Sequence, residues 1–259
     1  MAGGKRVAEE PKYESGKLYH ISLDRKDVGG IALLPGDPDR VQRIAERFSN
    51  AKQLASHREY QSYGGYVGNR YVVAMSTGIG GPSAAIAIEE LARLGVKTMI
   101  RIGTCGSITS KADVGSLVIA DAAVRLDGTT DQYVMKGYPA AASYDITNAL
   151  VEAARSLKKK FVVGATASSD SFYVGQGRKG FNGYYPDSAA SLIRSLQSTN
   201  VACFEMEAST LFTLGRIYGI RTGAIFAVIA NRTTGGFRVD AGVDDAIDTA
   251  VLAIRTGIS

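Results

Sequence analysis

Cysteine and histidine are scarce in this sequence, and tryptophan is absent. The 259 residues include two cysteines, two histidines and no tryptophan. Cys105 and Cys203 lie far apart and show no C-x-x-C spacing. A reducing, cytoplasmic setting is therefore expected rather than a disulfide framework. The four scattered residues also lack the spacing of a structural zinc site.

Long hydrophobic runs are missing as well. No stretch of about 20 apolar residues exists, so no membrane-spanning helix is expected. The first residues, MAGGKRVAEEPKYESGK, contain no apolar signal core, which argues against secretion. The net charge of +5 comes from dispersed basic residues, apart from Lys158–Lys160 at a predicted helix end. Because no basic patch is interleaved with aromatic residues, we expect neither nucleic acid nor a membrane as a partner.

The remaining composition is typical of one globular α/β domain. Hydrophobic residues make up 45% of the chain and charged residues 21%, which is sufficient for a packed core. Apolar strands alternate with amphipathic helices, so a mostly parallel or mixed sheet covered on both faces is expected. We assign residues 1–17 to a flexible N-terminal tail and residues 18–259 to a single domain.

Element boundaries follow from capping residues and hydrophobic periodicity. Asp37 suits an N-cap and Pro38 the first helical position, so a helix is predicted from there to about Phe48. Further helices are predicted over 83–94, 145–158, 204–218 and 243–256. Strands are predicted over 31–35, 51–56, 66–75, 98–102, 116–124, 161–167 and 222–230. The region 179–200 has no regular pattern, and a flap over the substrate is one interpretation of it.

Two glycine-rich segments carry the strongest chemical signal. Ser76–Ser83 follows the apolar run YVVAM, and Arg101–Gly106 follows VKTMI. A glycine turn lets backbone N–H groups approach an anion, because no Cβ intervenes. Arg101 adds a fork of donors suited to an oxyanion, and an arginine in an apolar run is costly to bury without a partner. We therefore predict two turns that bind a small phosphate-bearing substrate.

Seven short motifs occur in order along the chain. They are PGDPDR (35–40), ASHREY (55–60), STGIGGPS (76–83), RIGTCG (101–106), SDSFYVGQGR (169–178), FEMEAST (204–210) and VIANRT (228–233). Each alone is weak, but together they resemble the nucleoside phosphorylase superfamily, specifically its uridine phosphorylase branch, over about residues 18–255.

The resemblance implies a fold, a reaction and an assembly. The fold would be a three-layer α/β/α sandwich with a mixed, distorted central β-barrel. The reaction would be that of a pentosyltransferase, which cleaves uridine with inorganic phosphate to give uracil and ribose 1-phosphate. The assembly would be a homo-hexamer, a trimer of dimers whose active sites are shared between two subunits.

The resemblance also assigns the phosphate and ribose sites. It places phosphate on Gly36, Arg40, Arg101 and Thr104, with Arg58 supplied across the dimer interface, and ribose on Thr104, Met206 and Glu207, with His20 from a neighbouring subunit. Arginine forks suit phosphate, and a carboxylate can accept from two vicinal hydroxyls. Taken alone, Arg40 is explained equally well as a solvated helix residue, and Arg58 and His20 are better explained as residues of exposed strands. The Glu205–Glu207 segment is likewise explained by favourable placement at a helix N-terminus.

The base is assigned to Gln176 and Arg178, with Phe172 stacking on the ring and Ile229 and Arg232 alongside. A glutamine donates and accepts at once, which suits adjacent carbonyl and imide groups, although these two loop residues could also be merely solvated. Arg178 and Gln176, with Arg101 and Glu207, form the predicted catalytic set.

Two positions of the base site bear on specificity. The related purine branch carries an aspartate near Asn231 that protonates the purine, so the asparagine favours a pyrimidine. Gly177 stands where bacterial members usually have glutamate, which is expected to loosen this loop.

Glu59, Ile79 and Ser83 match the residues that bind a potassium ion between two subunits in bacterial relatives, and all three offer hard oxygen donors. An ordinary interface hydrogen bond explains Ser83 equally well. No organic cofactor is expected. The alternatives are a purine nucleoside phosphorylase of the same fold, a nucleosidase that uses water, and a non-catalytic nucleoside-binding protein. The three predicted phosphate arginines argue against the nucleosidase.

Overall fold

The computed structural model describes residues 10–258, and it confirms the predicted alternation of strands and helices. The strands are Ile31–Leu34 (β1), Ser49–His57 (β2), Tyr60–Val67 (β3), Arg70–Met75 (β4), Thr98–Ser107 (β5), Leu117–Leu126 (β6), Ala140–Ala141 (β7), Phe161–Ser169 (β8), Cys203–Glu205 (β9) and Arg221–Asn231 (β10). The helices are Pro38–Ala45 (α1), Gly81–Arg93 (α2), Tyr144–Ser156 (α3), Asp187–Ser198 (α4), Ala208–Tyr218 (α5) and Val243–Thr256 (α6).

Five strands close into a barrel. β10 pairs in parallel with β5 and antiparallel with β6, β6 runs parallel to β8, and the short β9 joins β8 to β5. Both orientations occur, and register shifts interrupt the β10–β5 and β6–β8 pairs. β1 continues the sheet from β5 to β4, β3 and β2. The barrel is therefore mixed and distorted, as the resemblance implies.

Helices cover both faces of this sheet. Ala32 and Leu34 of β1 enter the core formed with α2 and α5, whereas Ile31 and Leu33 enter the core formed with α1, α3 and α6. Successive side chains of a strand point to opposite faces, so the two cores lie on opposite sides. The predicted three-layer sandwich is confirmed. None of the helices within residues 10–258 is long and apolar enough to cross a membrane.

Two strand predictions are wrong in detail. The strand predicted over 66–75 is broken at Gly68, whose φ of +62° turns the chain from β3 into β4. The turn predicted at Arg101–Gly106 is absent, because β5 continues through these residues. Gly103 is needed there for packing, since a Cβ at this position would lie 2.7 Å from the ring of Phe226.

Two predictions in the second half of the chain are also corrected. The helix predicted over 204–218 begins at Ala208, and Glu205 ends β9 instead. The region 179–200 is not irregular throughout, because Asp187–Ser198 form α4. Ala189 and Leu196 of α4 are buried, and the helix packs on Phe204 and its neighbours.

The N-terminal tail was predicted over residues 1–17. Residues 1–9 lie outside the described residues. From there on, Lys12 pairs with Leu18 in an isolated antiparallel bridge. The boundary of the tail stays a prediction.

Candidate active site

A large cleft lies at the carboxyl ends of β1, β5 and β10, where sheets of this kind bind ligands. Its volume is about 1080 Å³. The cleft brings together most of the side chains that the sequence singled out. Those that line it are Gly36, Arg40, Arg101, Thr104, Phe172, Gln176, Arg178, Met206, Glu207, Ile229 and Arg232.

One end of the cleft is built around two buried guanidinium groups. Arg101 donates from Nη1 to Thr77 Oγ1 at 3.2 Å, and Arg40 donates from Nη1 to Ile102 O at 3.3 Å. In the described part of the chain, the Nε atoms of both arginines are buried without a hydrogen-bond partner. Burial lowers the pKa of Arg40, and the positive charge of Arg101 lowers it further, although Asp37 opposes this. Unpaired buried donors and like charges together favour an anion at this end.

Gly36 allows the backbone to come close to this cationic end. A Cβ on Gly36 would lie 3.2 Å from both Arg101 Nη2 and Gly78 O. Asp37 follows as the N-cap of α1, and its side chain accepts from the Asp39 amide at 3.0 Å. The turn after β1 therefore brings the backbone at Gly36 close to the guanidinium group of Arg101.

The middle of the cleft holds a buried carboxylate. Glu207 accepts from the Gly80 amide at 2.6 Å through Oε1, and its Oε2 pairs with Arg101 Nη2. Glu207 is also the N-cap residue of α5, yet its side chain makes no capping hydrogen bond. Each carboxylate oxygen has more than one acceptor position, so Glu207 can accept further hydrogen bonds from a ligand.

The other end of the cleft combines an amide, two guanidinium groups and an aromatic ring. Arg178 Nη1 donates to Gln176 Oε1 at 2.6 Å and to Phe172 O at 2.7 Å, and Arg178 Cζ lies 4.1 Å from the centroid of the Phe172 ring. Arg232 donates to the carbonyl oxygens of Gln176 and Gly177. Burial and the nearby positive charge of Arg232 lower the pKa of Arg178 to about 10.

Gly177 has a defined structural role in this loop. Its φ of +65° closes the short 3-10 helix Val174–Gln176, a conformation that glycine adopts without strain. A Cβ there would lie 3.1 Å from Ile193 on α4. The loop that carries Gln176 thus lies against α4 and is also bound by Arg232. The expected loosening of this loop stays a prediction.

Asn231 lines the same cleft, but its side chain is fully engaged with the backbone. Nδ2 donates to Thr109 O at 3.0 Å and to Ala112 O at 2.9 Å, and Oδ1 accepts from the amides of Thr233 and Thr234. The residue is 1% exposed. It therefore fixes the turn after β10 and offers no proton to a ligand.

The comparisons with known proteins agree with this geometry. A family model described as the phosphorylase superfamily matches residues 30–256. The chain belongs to the phosphorylase superfamily. A uridine phosphorylase of Thermococcus kodakarensis is 51% identical over 230 residues, covering 89% of this chain and 83% of the relative. A uridine phosphorylase of Escherichia coli is 42% identical over 219 residues, covering 83% and 87%.

A relative named for a different substrate also matches. A guanosine phosphorylase of Halorubrum lacusprofundi is 38% identical over 219 residues, covering 85% of this chain and 86% of the relative. The resemblance of the motifs to nucleoside phosphorylases is confirmed, and the relatives include both pyrimidine and purine phosphorylases.

Arg58 and His20 were expected to bind the substrate, but both lie outside the cleft. Arg58 sits in the β2–β3 turn with φ of +55° and donates to Tyr19 Oη at 3.2 Å. His20 Nδ1 lies 2.6 Å from Glu90 Oε1. Both were assigned to the active site of a neighbouring subunit, and that assignment stays a prediction.

The three residues expected to bind potassium lie close together. Glu59 and Ile79 line the cleft, and Ser83 Oγ donates to Ile79 O at 3.2 Å. A Cβ on Gly78 would lie 2.8 Å from Glu59 Cγ and 3.1 Å from Ser83 Oγ, so these two side chains flank the glycine. The oxygen donors fit an alkali cation. Within residues 10–258, no cluster of three or more histidine, cysteine, aspartate or glutamate side chains could hold a metal ion.

The sequence analysis missed several residues that shape the cleft. Thr77 and the Gly80 amide orient Arg101 and Glu207, and both lie in the STGIGGPS motif, which therefore did contain the signal. Phe237 lines the cleft and is 68% exposed, but no local pattern marks it. Glu205 also lines the cleft and binds the start of α5.

Proposed function

We propose that this protein is a uridine phosphorylase, which converts uridine and phosphate reversibly into uracil and ribose 1-phosphate. The observation that carries the proposal is the set of groups that line one cleft: two buried arginines, a buried carboxylate, and an amide–guanidinium pair beside an aromatic ring. These groups are complementary to phosphate, ribose and uracil in turn. The named relatives support the same substrate.

Phosphate is proposed to bind at the cationic end. Arg40 and Arg101 both line this end of the cleft, and their two positive charges suit a doubly or singly charged oxyanion. Gly36 and Thr104 would add backbone and hydroxyl contacts, and Arg58 would come from a neighbouring subunit. A nucleosidase would have no use for such a site.

Ribose is proposed to bind beside Glu207. Its carboxylate would accept hydrogen bonds from the vicinal hydroxyls, with Thr104 and Met206 alongside and His20 supplied by a neighbouring subunit. Because Arg101 and the Gly80 amide already hold Glu207, the carboxylate is fixed before the substrate arrives. Such fixed positioning lowers the entropic cost of reaching the transition state.

The base is proposed to leave as an anion. Phosphate attacks C1′ from the face opposite the base, a C1′–O bond forms, and the C1′–N1 bond breaks with its electron pair going to uracil. Arg178 and Gln176 would stabilise the charge that develops on the uracil oxygens. The base pocket would be completed by Phe172, Ile229 and Arg232. Arg232 would contribute by holding the loop that carries Gln176.

The finer parts of the proposal concern assembly, ion and location. We propose a hexamer built as a trimer of dimers, since Arg58 and His20 lie outside the cleft of their own chain. Glu59, Ile79 and Ser83 would hold a potassium ion between two subunits, where it would stabilise that contact. The cytoplasmic location stays a prediction based on the two free, buried cysteines.

A purine nucleoside phosphorylase is the second candidate, because a guanosine phosphorylase is among the relatives. The engaged side chain of Asn231 argues against it. The test is to incubate the pure protein with uridine, inosine and guanosine, each with and without phosphate, and to quantify the free base. Uracil released only with phosphate supports the proposal. Base released without phosphate, or only from a purine nucleoside, contradicts it.

A further inference from the structure

Glu205, the last residue of β9, is a second buried carboxylate beside the cleft and has no role in the reaction as described so far. It is 4% exposed. Its Oε2 accepts from the amides of Glu207 at 2.8 Å and Ala208 at 2.7 Å. Glu205 therefore provides the capping hydrogen bonds at the start of α5, where amides lack partners within the helix.

This arrangement explains why the side chain of Glu207 can face the cleft. Glu207 occupies the N-cap position of α5, where a side chain normally bonds to the amide two or three residues later. Its own side chain makes no such bond. Glu205 accepts from the amides of Glu207 and Ala208, and Ser168 Oγ accepts from the amide of Ser209, so the start of α5 is held without the Glu207 carboxylate, which pairs with Arg101 instead.

A network of buried polar side chains holds the Glu205 carboxylate through Ser168. Ser168 Oγ donates to Glu205 Oε1 and accepts from the amide of Ser209 at 2.9 Å. Ser209 Oγ donates to Asp127 Oδ2 at 2.6 Å, and Asp127 also accepts from Thr130. A buried network in which the groups are mutually satisfied is rigid, so the Glu205 carboxylate has one defined position.

The carboxylate of Glu205 is held by hydroxyl and amide donors, and it forms no ion pair with any residue that the structure describes. Burial raises its pKa, and so does the negative charge of Glu207, whereas Arg101 and the hydrogen bonds lower it. A buried carboxylate without an ion-pair partner is costly for stability. Because Glu205 is costly for stability, its role must lie in the backbone segment that it holds in place.

We infer that Glu205 is a positioning residue that acts through Glu207: it fixes the backbone from which the ribose-binding carboxylate projects. The inference rests on the proposed function, because it concerns the same sugar site. It is separate from the identity of the base, since it concerns only how Glu207 is held.

The test is a double-mutant cycle measured in kcat/KM. Glu205→Ala removes the acceptor for both amides and is expected to lower kcat/KM about 100-fold, the loss typical of a misplaced catalytic group. Glu205→Gln keeps one oxygen for both amides and is expected to recover most of that loss. In a Glu207→Ala background, adding Glu205→Ala is expected to have no further effect, because the group through which it acts is gone.

Ser168→Ala provides a second variant in case Glu205→Ala does not fold. It removes the hydroxyl that donates to Glu205 and accepts from the Ser209 amide, and it leaves the two amide contacts of Glu205 intact, so a smaller loss is expected, again absent in the Glu207→Ala background. Ser116→Ala is the matched control, since Ser116 is a buried serine that donates to Asp113 O away from the cleft. Circular dichroism and thermal unfolding identify variants that are folded at the assay temperature.

The outcomes separate this inference from the proposed function. A wild-type protein that does not cleave uridine contradicts the proposed function, and the cycle is then measured with whichever nucleoside is cleaved. If the fold losses in kcat/KM of the two single variants multiply in the double variant, the inference is overturned. So would a Glu205→Gln variant as impaired as Glu205→Ala, because the amide contacts alone would then not account for the role.

Discussion

Replacing Asn231 with aspartate tests the claim that this residue is structural and does not supply a proton. Asn231 Nδ2 donates to the backbone carbonyls of Thr109 and Ala112. Aspartate puts an oxygen in place of the amide nitrogen, so the buried Ala112 carbonyl loses its donor, whereas Thr109 O still accepts from Ser107 Oγ at 3.0 Å. A buried polar group left without its partner costs about 1–3 kcal/mol. This is a large share of the about 5–15 kcal/mol that stabilises a typical domain.

The loss is expected to depend on pH. An aspartate at position 231 would be buried against carbonyl oxygens, so its pKa in the folded state would lie above its value in the unfolded chain. Between these two values the folded state binds more protons, and stability falls as pH rises. Protonated, the side chain can donate to one carbonyl again. The variant is therefore expected to be closest to the wild type in mild acid and weakest above neutral pH.

The assay is urea unfolding of wild type and Asn231→Asp at about pH 5 and about pH 8, which lie on either side of the expected transition. Asn148→Asp is the matched control, because Asn148 is exposed on α3 and the same change should leave stability nearly unaltered. Equal stability of Asn231→Asp and wild type at both pH values would refute the argument. A variant that remains folded and begins to cleave inosine would refute it too, because the new carboxyl would then reach the base.

Two further substitutions test the two ends of the cleft. Arg178→Ala is expected to lower kcat/KM for uridine by about two orders of magnitude or more, the loss typical of removing a group that stabilises developing charge. Steady-state kinetics checks this against Arg194→Ala on exposed α4, and an unchanged rate would remove Arg178 from the mechanism. Gly36→Ala places a Cβ 3.2 Å from Arg101 Nη2 and is expected to raise the KM for phosphate about tenfold or more by shifting that group. Gly137→Ala, whose Cβ meets no atom within 4 Å, is the control, and equal KM values for phosphate in the two variants would contradict the assignment.

Local sequence signals predicted the elements whose packing follows directly from their own pattern. The helix predicted over 243–256 has the bounds of α6, because an apolar stripe repeats along its whole length. α4 was missed because few of its residues are buried, and its sequence DSAASLIRSLQS is rich in serine. β9 was missed because three residues become a strand only by pairing with β5 and β8, which no local pattern shows.

In the candidate site too, local patterns identified single residues but not the contacts between them. The motifs identified Arg101 and Glu207, but they could not show that the two side chains pair with each other. Glu205 was interpreted as a residue at a helix start, whereas it lies on β9 and caps α5 from there. These relations depend on contacts between segments distant in sequence.

The most direct test of the account is to follow uridine and phosphate with the pure protein by ³¹P NMR while uracil is measured by chromatography. If phosphate bound at Arg40 and Arg101 attacks C1′, a sugar phosphate signal grows in a one-to-one ratio with uracil, and inorganic phosphate falls by the same amount. Uracil released with free ribose, while the phosphate signal stays constant, would contradict it, because water and not phosphate would then be the nucleophile.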